Sequence, residues 1–214
     1  MIRATGLRHA PGGHVLLDGF DLALVEGSMT ALVGPSGCGK STLLRVLAGL
    51  RPFEGVVEGM PARKAFVFQD AALLPWLTLR ENVALPGRFG DAGDVDGAIR
   101  RVGLADHGDK LPRVLSGGQR MRASLARALV ARPEIVFLDE AFTGLDGTTR
   151  AAVQRELVAL QREHGWTVLM VTHELEDAVR LCERVVAVDG PPLQVRADLA
   201  VMPGTLDALT AVYA

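Results

Sequence analysis

The chain has 214 residues, of which 49% are hydrophobic and 22% are charged, and its formal net charge is −2 at pH 7. This composition is that of an ordinary folded domain, and it excludes a fibrous repeat and a disordered chain. Lysine and arginine are scattered along the chain, so we expect no nucleic-acid partner. Two cysteines favour a reducing compartment over a disulfide framework. The sequence shows neither a signal-peptide pattern nor a membrane-spanning run, so we expect any membrane association to depend on a partner.

Five short apolar segments predict β-strands. They are rich in β-branched residues, and several are apolar throughout, which is typical of strands buried on both faces of a parallel sheet. The predicted strands cover residues 29–34, 65–69, 134–140, 166–172 and 184–190. Helical spacing of apolar residues predicts helices between them, at 40–50, 120–131 and 148–165. The alternation predicts an α/β fold.

The stretch 71–114 differs from the rest, because it contains several prolines, a glycine-rich segment and no strand pattern. Together with the helix that follows it, this stretch is interpreted as a mostly helical subdomain over residues 71–130. We expect it to be inserted within one domain that spans residues 1–214.

The segment "GPSGCGKS" at residues 34–41 fits the pattern G-x-x-x-x-G-K-[ST] and lies between a predicted strand and a predicted helix. In such a loop the backbone N–H groups surround phosphates, Lys40 reaches the β- and γ-phosphates, and the Ser41 hydroxyl ligates Mg²⁺. The predicted cofactors are therefore ATP and Mg²⁺. The candidate nucleotide-binding residues of this loop are Gly34, Pro35, Ser36, Gly37, Cys38, Gly39, Lys40, Ser41 and Thr42.

The predicted strand "IVFLDE" at 135–140 ends in two carboxylates. Asp139 is a candidate Mg²⁺ ligand, and Glu140 is a candidate to orient or deprotonate the attacking water. A strand that ends in acidic residues is often only the start of a solvated loop. The phosphate loop favours the catalytic interpretation, because a nucleotide site needs a metal ligand at the carboxyl edge of the sheet.

Two further polar residues, Gln69 and His173, also end predicted strands. Their positions alone do not distinguish site residues from ordinary polar residues at a strand edge. The motif "LSGGQ" at 115–119 precedes a predicted helix, and it is a second place where unpaired backbone N–H groups could meet phosphate oxygens.

In order and spacing, these motifs and "GLD" at 144–146 resemble the ATP-binding subunit of an ABC transporter, over nearly the whole chain. "LSGGQ" is the most specific element of the resemblance. The resemblance implies a phosphate-loop NTPase core with a mostly parallel central sheet flanked by helices. It further implies an N-terminal antiparallel β subdomain and the inserted helical subdomain.

The resemblance also implies why one chain would carry two phosphate cradles. In this family two nucleotide-binding domains pack head to tail, and the signature of one chain closes over the γ-phosphate held by the other. Gln69 would approach Mg²⁺ and the attacking water, His173 would act as a γ-phosphate switch, and Asp146 would meet the partner chain. The signature residues implied to bind nucleotide are Ser116, Gly117, Gly118 and Gln119.

The sequence departs from the family pattern at two places. Residues 8–17 contain no Tyr, Phe or Trp to stack on adenine, and Pro11 stands where the ring is expected. We therefore expect weak discrimination between adenine and other bases. His9 or His14 could replace the ring, but either could equally be an ordinary surface residue. Ala141 stands where the family commonly has proline, and nothing in the sequence gives this difference a function.

Other ATPases share some of these motifs. The short, heptad-free interval between Gln69 and Ser116 argues against chromosome-maintenance ATPases, and a single motif set argues against fused translation factors. A small nucleotide-dependent kinase would not require "LSGGQ", and a nucleotide-binding regulator would not require Glu140. Two alternatives to an importer subunit stay open: an ABC exporter subunit and a soluble ABC ATPase without a transport role.

The segment "VFQDAALLPWLTLRENVALP" at 67–86 is similar to bacterial importer ATPases of the nitrate, sulfonate and taurine group. Its apolar cluster either receives the coupling helix of a membrane permease or packs inside the helical subdomain. The cluster consists of Leu73, Leu74, Trp76 and Leu77. The resemblance implies permease subunits, a second ATPase domain and an extracytoplasmic binding protein as partners. It places the chain at the cytoplasmic face of the membrane.

Overall fold

A computed structural model describes residues 1–88 and 93–213. The chain divides into two compact units. Unit 1 comprises Met1–Ala62 and Gly165–Ala214, and unit 2 comprises Arg63–His164. The bounds predicted for a helical subdomain, residues 71–130, lie inside unit 2 and stay a prediction.

The secondary-structure elements are numbered in chain order. The strands are β1 Ile2–His9, β2 Leu17–Leu24, β3 Met29–Val33, β4 Glu54–Glu58, β5 Lys64–Val67, β6 Ile135–Asp139, β7 Thr167–Thr172, β8 Arg184–Asp189 and β9 Gln194–Ala200. The helices are α1 Lys40–Leu47, α2 Leu79–Val83, α3 Val95–Arg101, α4 Gly117–Val130, α5 Gly147–His164, α6 Leu175–Leu181 and α7 Thr205–Val212. Among the described residues, no helix is both long enough and apolar enough to cross a membrane.

The core of unit 1 is a sheet in the order β7-β3-β8-β9. Strand β3 pairs in parallel with both β7 and β8, whereas β9 is antiparallel to β8. Every residue of β3 and β7 is buried, which matches the continuous apolar runs that predicted these strands. A second sheet, in the order β2-β1-β4, is antiparallel throughout.

Unit 2 contains the parallel pair β5 and β6 together with helices α2 to α5. Strand β6 is buried at every residue, as predicted. Strand β5 ends at Val67, so the prediction that Gln69 closes this strand was wrong. The chain turns instead at Phe68, whose carbonyl oxygen accepts a hydrogen bond from the Ala71 N–H at 3.0 Å.

Helix α4 begins at Gly117, three residues before the predicted start at residue 120. The paired glycines of the signature lowered the helical signal, because glycine has low helix propensity. None of the described residues in the stretch 71–114 lies in a strand, and the stretch contains α2, α3 and short 3-10 turns. The glycine-rich part of that stretch falls partly outside the described residues.

Candidate functional site

The phosphate loop connects β3 to α1 in unit 1, as the sequence predicts. A methyl group built on Gly34 would overlap the carbonyl oxygen of Val188 in β8, so only glycine fits there. Gly37 and Gly39 have φ angles of 82° and 115°, a backbone region that side chains disfavour. The fold of this loop is therefore determined by glycines and by close backbone approach.

Lys40 lies at the first turn of α1 and is 4% exposed. Its Nζ donates to the carbonyl oxygens of Gly34 and Pro35, each at 2.7 Å. The ammonium group is therefore held by the carbonyl oxygens of the loop itself.

His173 lies at the same edge of the sheet as the phosphate loop. In the parallel register Val33 is directly opposite Thr172, and the next residues are Gly34 and His173. The His173 side chain is 41% exposed, and its Nε2 is 3.6 Å from Oε1 of Glu174. Unit 1 thus brings the candidate switch histidine beside the candidate phosphate cradle.

Tyr213, which follows α7, contacts the backbone of β3 and β8 at Val33, the last residue before the phosphate loop, and at Val188. Its hydroxyl accepts a hydrogen bond from the Val188 N–H at 3.1 Å and lies 2.9 Å from the Val33 carbonyl oxygen. Burial raises the pKa of this hydroxyl above its ordinary value. Sequence reasoning missed Tyr213, although a lone tyrosine after an apolar helix is a signal for a buried ring with a bonded hydroxyl.

In unit 2, the predicted Mg²⁺ ligands Gln69 and Asp139 and the candidate base Glu140 lie at one edge of the parallel pair β5 and β6. Val67 of β5 is opposite Leu138 of β6, so Gln69 and Glu140 both follow the carboxyl ends of their strands. Asp139 is 5% exposed, whereas Gln69 is exposed. Glu140 has a φ of 49°, which is unusual for a residue with a side chain and is common at functional sites.

The signature motif forms the start of helix α4. Ser116 Oγ accepts from the Gln119 N–H at 3.2 Å, and Gln119 Oε1 accepts from the Ser116 N–H at 2.8 Å, which is a complete capping box. A methyl group built on Gly118 would overlap the side chain of Thr149 in α5. The glycine therefore permits close packing of α4 against α5.

Asp146, which the resemblance assigned to contact with a partner chain, has a contact within its own chain. Its Oδ1 accepts a hydrogen bond from the Thr149 N–H at 3.0 Å, at the first turn of α5. The hydrogen bonds from Thr149 lower the pKa of the Asp146 carboxyl. Asp146 thus stabilises the start of α5, in line with the preference for carboxylates at helix N-termini.

Arg127 of α4 contacts the segment that follows Gln69, and sequence reasoning missed it. Its guanidinium donates to the carbonyl oxygens of Ala71 and Ala72, at 2.9 and 2.8 Å. Burial lowers the pKa of Arg127, and the Asp70 carboxylate opposes this shift. A charged residue within the apolar run "LARALV" at 125–130 was the signal that could have identified it.

Asn82 of α2 organises the loop that carries the apolar cluster. It is fully buried; its Oδ1 accepts from the Leu74 N–H at 2.7 Å, and its Nδ2 donates to the Leu77 carbonyl at 3.0 Å. Trp76 stands out from this loop and is 71% exposed, whereas Leu74 is half-buried. The cluster is therefore divided between an exposed ring and leucines that pack within the unit.

The predicted metal ligands are a hydroxyl, an amide and a carboxylate, on Ser41, Gln69 and Asp139. Such hard oxygen ligands suit Mg²⁺, which commonly takes one or two protein ligands and completes its shell with phosphates and water. Over residues 1–88 and 93–213, no group of three or more His, Cys, Asp or Glu side chains forms a separate metal site. The donor chemistry of the three predicted ligands fits Mg²⁺.

Comparison with known proteins shows the family. The ABC transporter family matches residues 17–143. The chain is 42% identical over 187 residues to an aliphatic sulfonates import ATP-binding protein of Pseudomonas savastanoi pv. phaseolicola, covering 86% of this chain and 79% of that protein. It is 46% identical over 187 residues to a protein of the same description from Frankia alni, covering 86% and 76%.

Solved structures show the same fold. A dimeric ATP-binding cassette, MJ0796, in a post-hydrolysis state with ADP and Pi, superposes with a TM-score of 0.81 at 28% identity, over 94% of this chain and 99% of that chain. For cbiO1 of Clostridium perfringens, part of the ABC transporter complex cbiONQ, the TM-score is 0.81 at 25% identity, over 99% and 92%.

The chain belongs to the ABC transporter family. It is the nucleotide-binding, ATP-hydrolysing subunit of a transporter. The predicted resemblance and fold class are confirmed. The roles of individual site residues stay predictions.

Proposed function

We propose that this chain powers the import of a small organic anion, of the aliphatic sulfonate class, through a separate membrane permease. The observation that carries the proposal is the identity of 42% and 46% to two sulfonate-import ATP-binding proteins over most of the chain. The phosphate loop, the signature and the carboxylates at the end of β6 support the part of the proposal that concerns ATP hydrolysis. ATP hydrolysis would supply the free energy, and the permease would supply the solute pathway.

In the proposed mechanism, unit 1 binds the triphosphate. The N–H groups of the loop from Gly34 to Thr42 cradle its oxygens, and the Lys40 ammonium moves from the loop carbonyls to the phosphates. Ser41, Gln69 and Asp139 are the residues that would hold Mg²⁺, which would neutralise phosphate charge when bound. The exposed His173 imidazole would contact the γ-phosphate.

The proposed hydrolysis step uses Gln69 and Glu140. The Gln69 amide orients a water, and a Glu140 carboxylate oxygen accepts its proton as the water oxygen attacks the γ-phosphorus. The bond from the γ-phosphorus to the bridging oxygen breaks, and the products are ADP and phosphate. The strained backbone at Glu140 supports this role, because such strain persists where the carboxylate must point in one direction.

The signature would complete the site of a second copy of the chain. Ser116 caps α4, and Gly117 and Gly118 form its first turn, so the motif lies at a helix N-terminus, which suits a γ-phosphate held by the partner's loop. This arrangement predicts that turnover per chain rises with protein concentration at saturating ATP. A rate per chain that is independent of concentration, from a protein that stays monomeric with ATP, would contradict it.

We further propose that the Trp76 loop receives the permease, on the cytoplasmic face of the membrane, in a complex that includes an extracytoplasmic binding protein. An exposed indole on a loop fixed by a buried asparagine is the kind of rigid aromatic anchor that interfaces use. The Trp76→Ala variant should hydrolyse ATP as an isolated chain but lose permease co-purification and sulfonate uptake.

The matched control is Val114→Ala, which removes another exposed apolar side chain of unit 2, one that is 63% exposed. Permease recovery in detergent and uptake of labelled sulfonate are measured for both variants. Equal permease recovery for Trp76→Ala and Val114→Ala would remove this loop from the coupling role. Uptake of another solute class but not of sulfonates would overturn the proposed cargo.

A further inference from the structure

We propose that Arg127 is a positioning residue that couples the Gln69 segment to the signature helix. The juxtaposition is direct, because the guanidinium of a residue in α4 donates to two consecutive carbonyl groups just beyond Gln69. The inference rests on the proposed function of Gln69, and it deepens that function by naming what holds the glutamine in place.

The first observation is the backbone conformation of Ala71 and Ala72. Their φ angles are 62° and 44°, in the left-handed region that residues with a Cβ disfavour. Two consecutive non-glycine residues in this region require support from their surroundings. The segment after Gln69 is therefore a bend that its own sequence does not favour.

The second observation is the support itself. Arg127 bonds both strained residues with the two arms of one planar fork, at 2.8 and 2.9 Å, and its Nη2 lies 3.4 Å from Ser124 Oγ in the preceding turn of α4. Asp70 adds a local contact, since its Oδ1 accepts from the Ala72 N–H at 3.0 Å. A rigid fork can hold two carbonyl groups in one orientation, which a lysine cannot do equally well.

The consequence is a mechanical connection between two motifs of unit 2. Gln69 lies two residues before Ala71, the first residue of the bend, and Ser116 caps the other end of the helix that carries Arg127. A displacement of the helix would move the guanidinium, and both carbonyl groups would follow it. Nucleotide contact at the signature and the placement of Gln69 would therefore influence one another through Arg127.

The test compares Arg127→Met, Arg127→Lys and Arg127→Met combined with Ala71→Gly and Ala72→Gly. We expect Arg127→Met to lower kcat by ~10- to 100-fold, the range for a misplaced positioning group, while Kd for ATP changes little. Arg127→Lys should lie between wild type and Arg127→Met. The two glycines adopt the left-handed conformation without steric cost, so they should restore part of the lost turnover.

The control is Arg122→Met, which removes another arginine of α4 that donates to a carbonyl group away from the Gln69 segment, that of Val102 at 3.3 Å. Turnover of Arg127→Met equal to that of Arg122→Met would overturn the proposal. A loss of turnover that the glycine pair leaves unchanged would overturn it too. If Arg127→Met does not fold, the glycine pair is tested on Arg127→Lys, where higher turnover supports the proposal and unchanged turnover overturns it.

Gln69→Ala separates this inference from the proposed function. Impaired turnover of Gln69→Ala with unimpaired Arg127 variants would refute the coupling role of Arg127 alone. Full turnover of Gln69→Ala would refute the role proposed for Gln69, and with it the function of the bend. ATP binding, measured by equilibrium titration, checks in every variant that the loss lies in kcat.

Discussion

The phosphate loop of unit 1 and the Gln69 segment of unit 2 both leave the carboxyl end of a parallel strand, yet they are held in different ways. In the phosphate loop the left-handed positions are glycines, Gly37 and Gly39. In the Gln69 segment they are Ala71 and Ala72, and the side chain of Arg127 holds them.

Typical energies show how the strained Gln69 segment can be stable. A left-handed residue with a Cβ costs roughly 1–2 kcal/mol, whereas a hydrogen bond from a charged donor contributes about 1.5–3 kcal/mol. The two bonds from Arg127 can therefore offset the strain at the two alanines. We therefore expect Gly34 in the loop of unit 1 to tolerate no added methyl group. We expect the Gln69 segment of unit 2 to be disturbed when the Arg127 side chain is lost.

The largest effect is expected when an atom is added to the phosphate loop. Gly34→Ala forces the loop away from the Val188 carbonyl oxygen, so ATP affinity should fall by ~10²-fold or more, the scale for misplacement of a binding group by about 1 Å. Nucleotide titration measures it. Gly147→Ala is the control, because a methyl group there meets no neighbouring atom within 4 Å. Equal affinities for the two variants would refute the close-approach argument.

In unit 2 the largest effect on catalysis is expected from Glu140. Glu140→Gln keeps the shape but removes the proton acceptor, so turnover should fall by ~10²-fold while ATP still binds. Steady-state hydrolysis and nucleotide titration are measured together. Glu134→Gln, an exposed glutamate just before the other end of β6, should keep normal turnover. Near-normal turnover of Glu140→Gln would transfer the base role to another group, with His173 as the first candidate.

A smaller effect, on stability, is expected from Asn82. Asn82→Ala removes the partner of the Leu74 N–H and the donor to three carbonyl oxygens, so the free energy of unfolding should fall by about 1–3 kcal/mol. Urea denaturation measures the loss. The altered Trp76 loop should also shift tryptophan fluorescence, because the other tryptophan, Trp166, is buried. Unchanged stability and an unchanged spectrum would show that the loop does not need this side chain.

The smallest effect concerns the base of the nucleotide. If affinity comes mainly from backbone contacts to phosphate in unit 1, ATP and GTP should bind within about tenfold of each other, or ~1.4 kcal/mol. Residues 8–17 contain no Tyr, Phe or Trp, and residues 11–13 form a short 3-10 turn. Titration with both nucleotides tests this expectation. A strong preference for ATP would indicate that His9, His14 or another residue contacts the base.

The sequence by itself determined the features that depend on local pattern. Buried strands are visible as continuous apolar runs, and the loop at 34–41 is visible because phosphate binding demands glycines and a lysine at fixed spacing. Capping is equally local, and the sequence "SGGQ" at 116–119 forms the capping box that starts α4. The predicted start of that helix was late only because glycine propensity outweighed the cap.

Tertiary structure alone decided which distant side chains hold these motifs. Arg127 is separated from Ala72 by 55 positions, and the Tyr213 hydroxyl reaches the carbonyl of Val33 across 180 positions. No periodicity encodes such contacts, because they arise when elements from distant parts of the chain pack together. Likewise, the sequence placed Trp76 and Leu74 in one apolar cluster, and only packing around Asn82 left the indole exposed and the leucine half-buried.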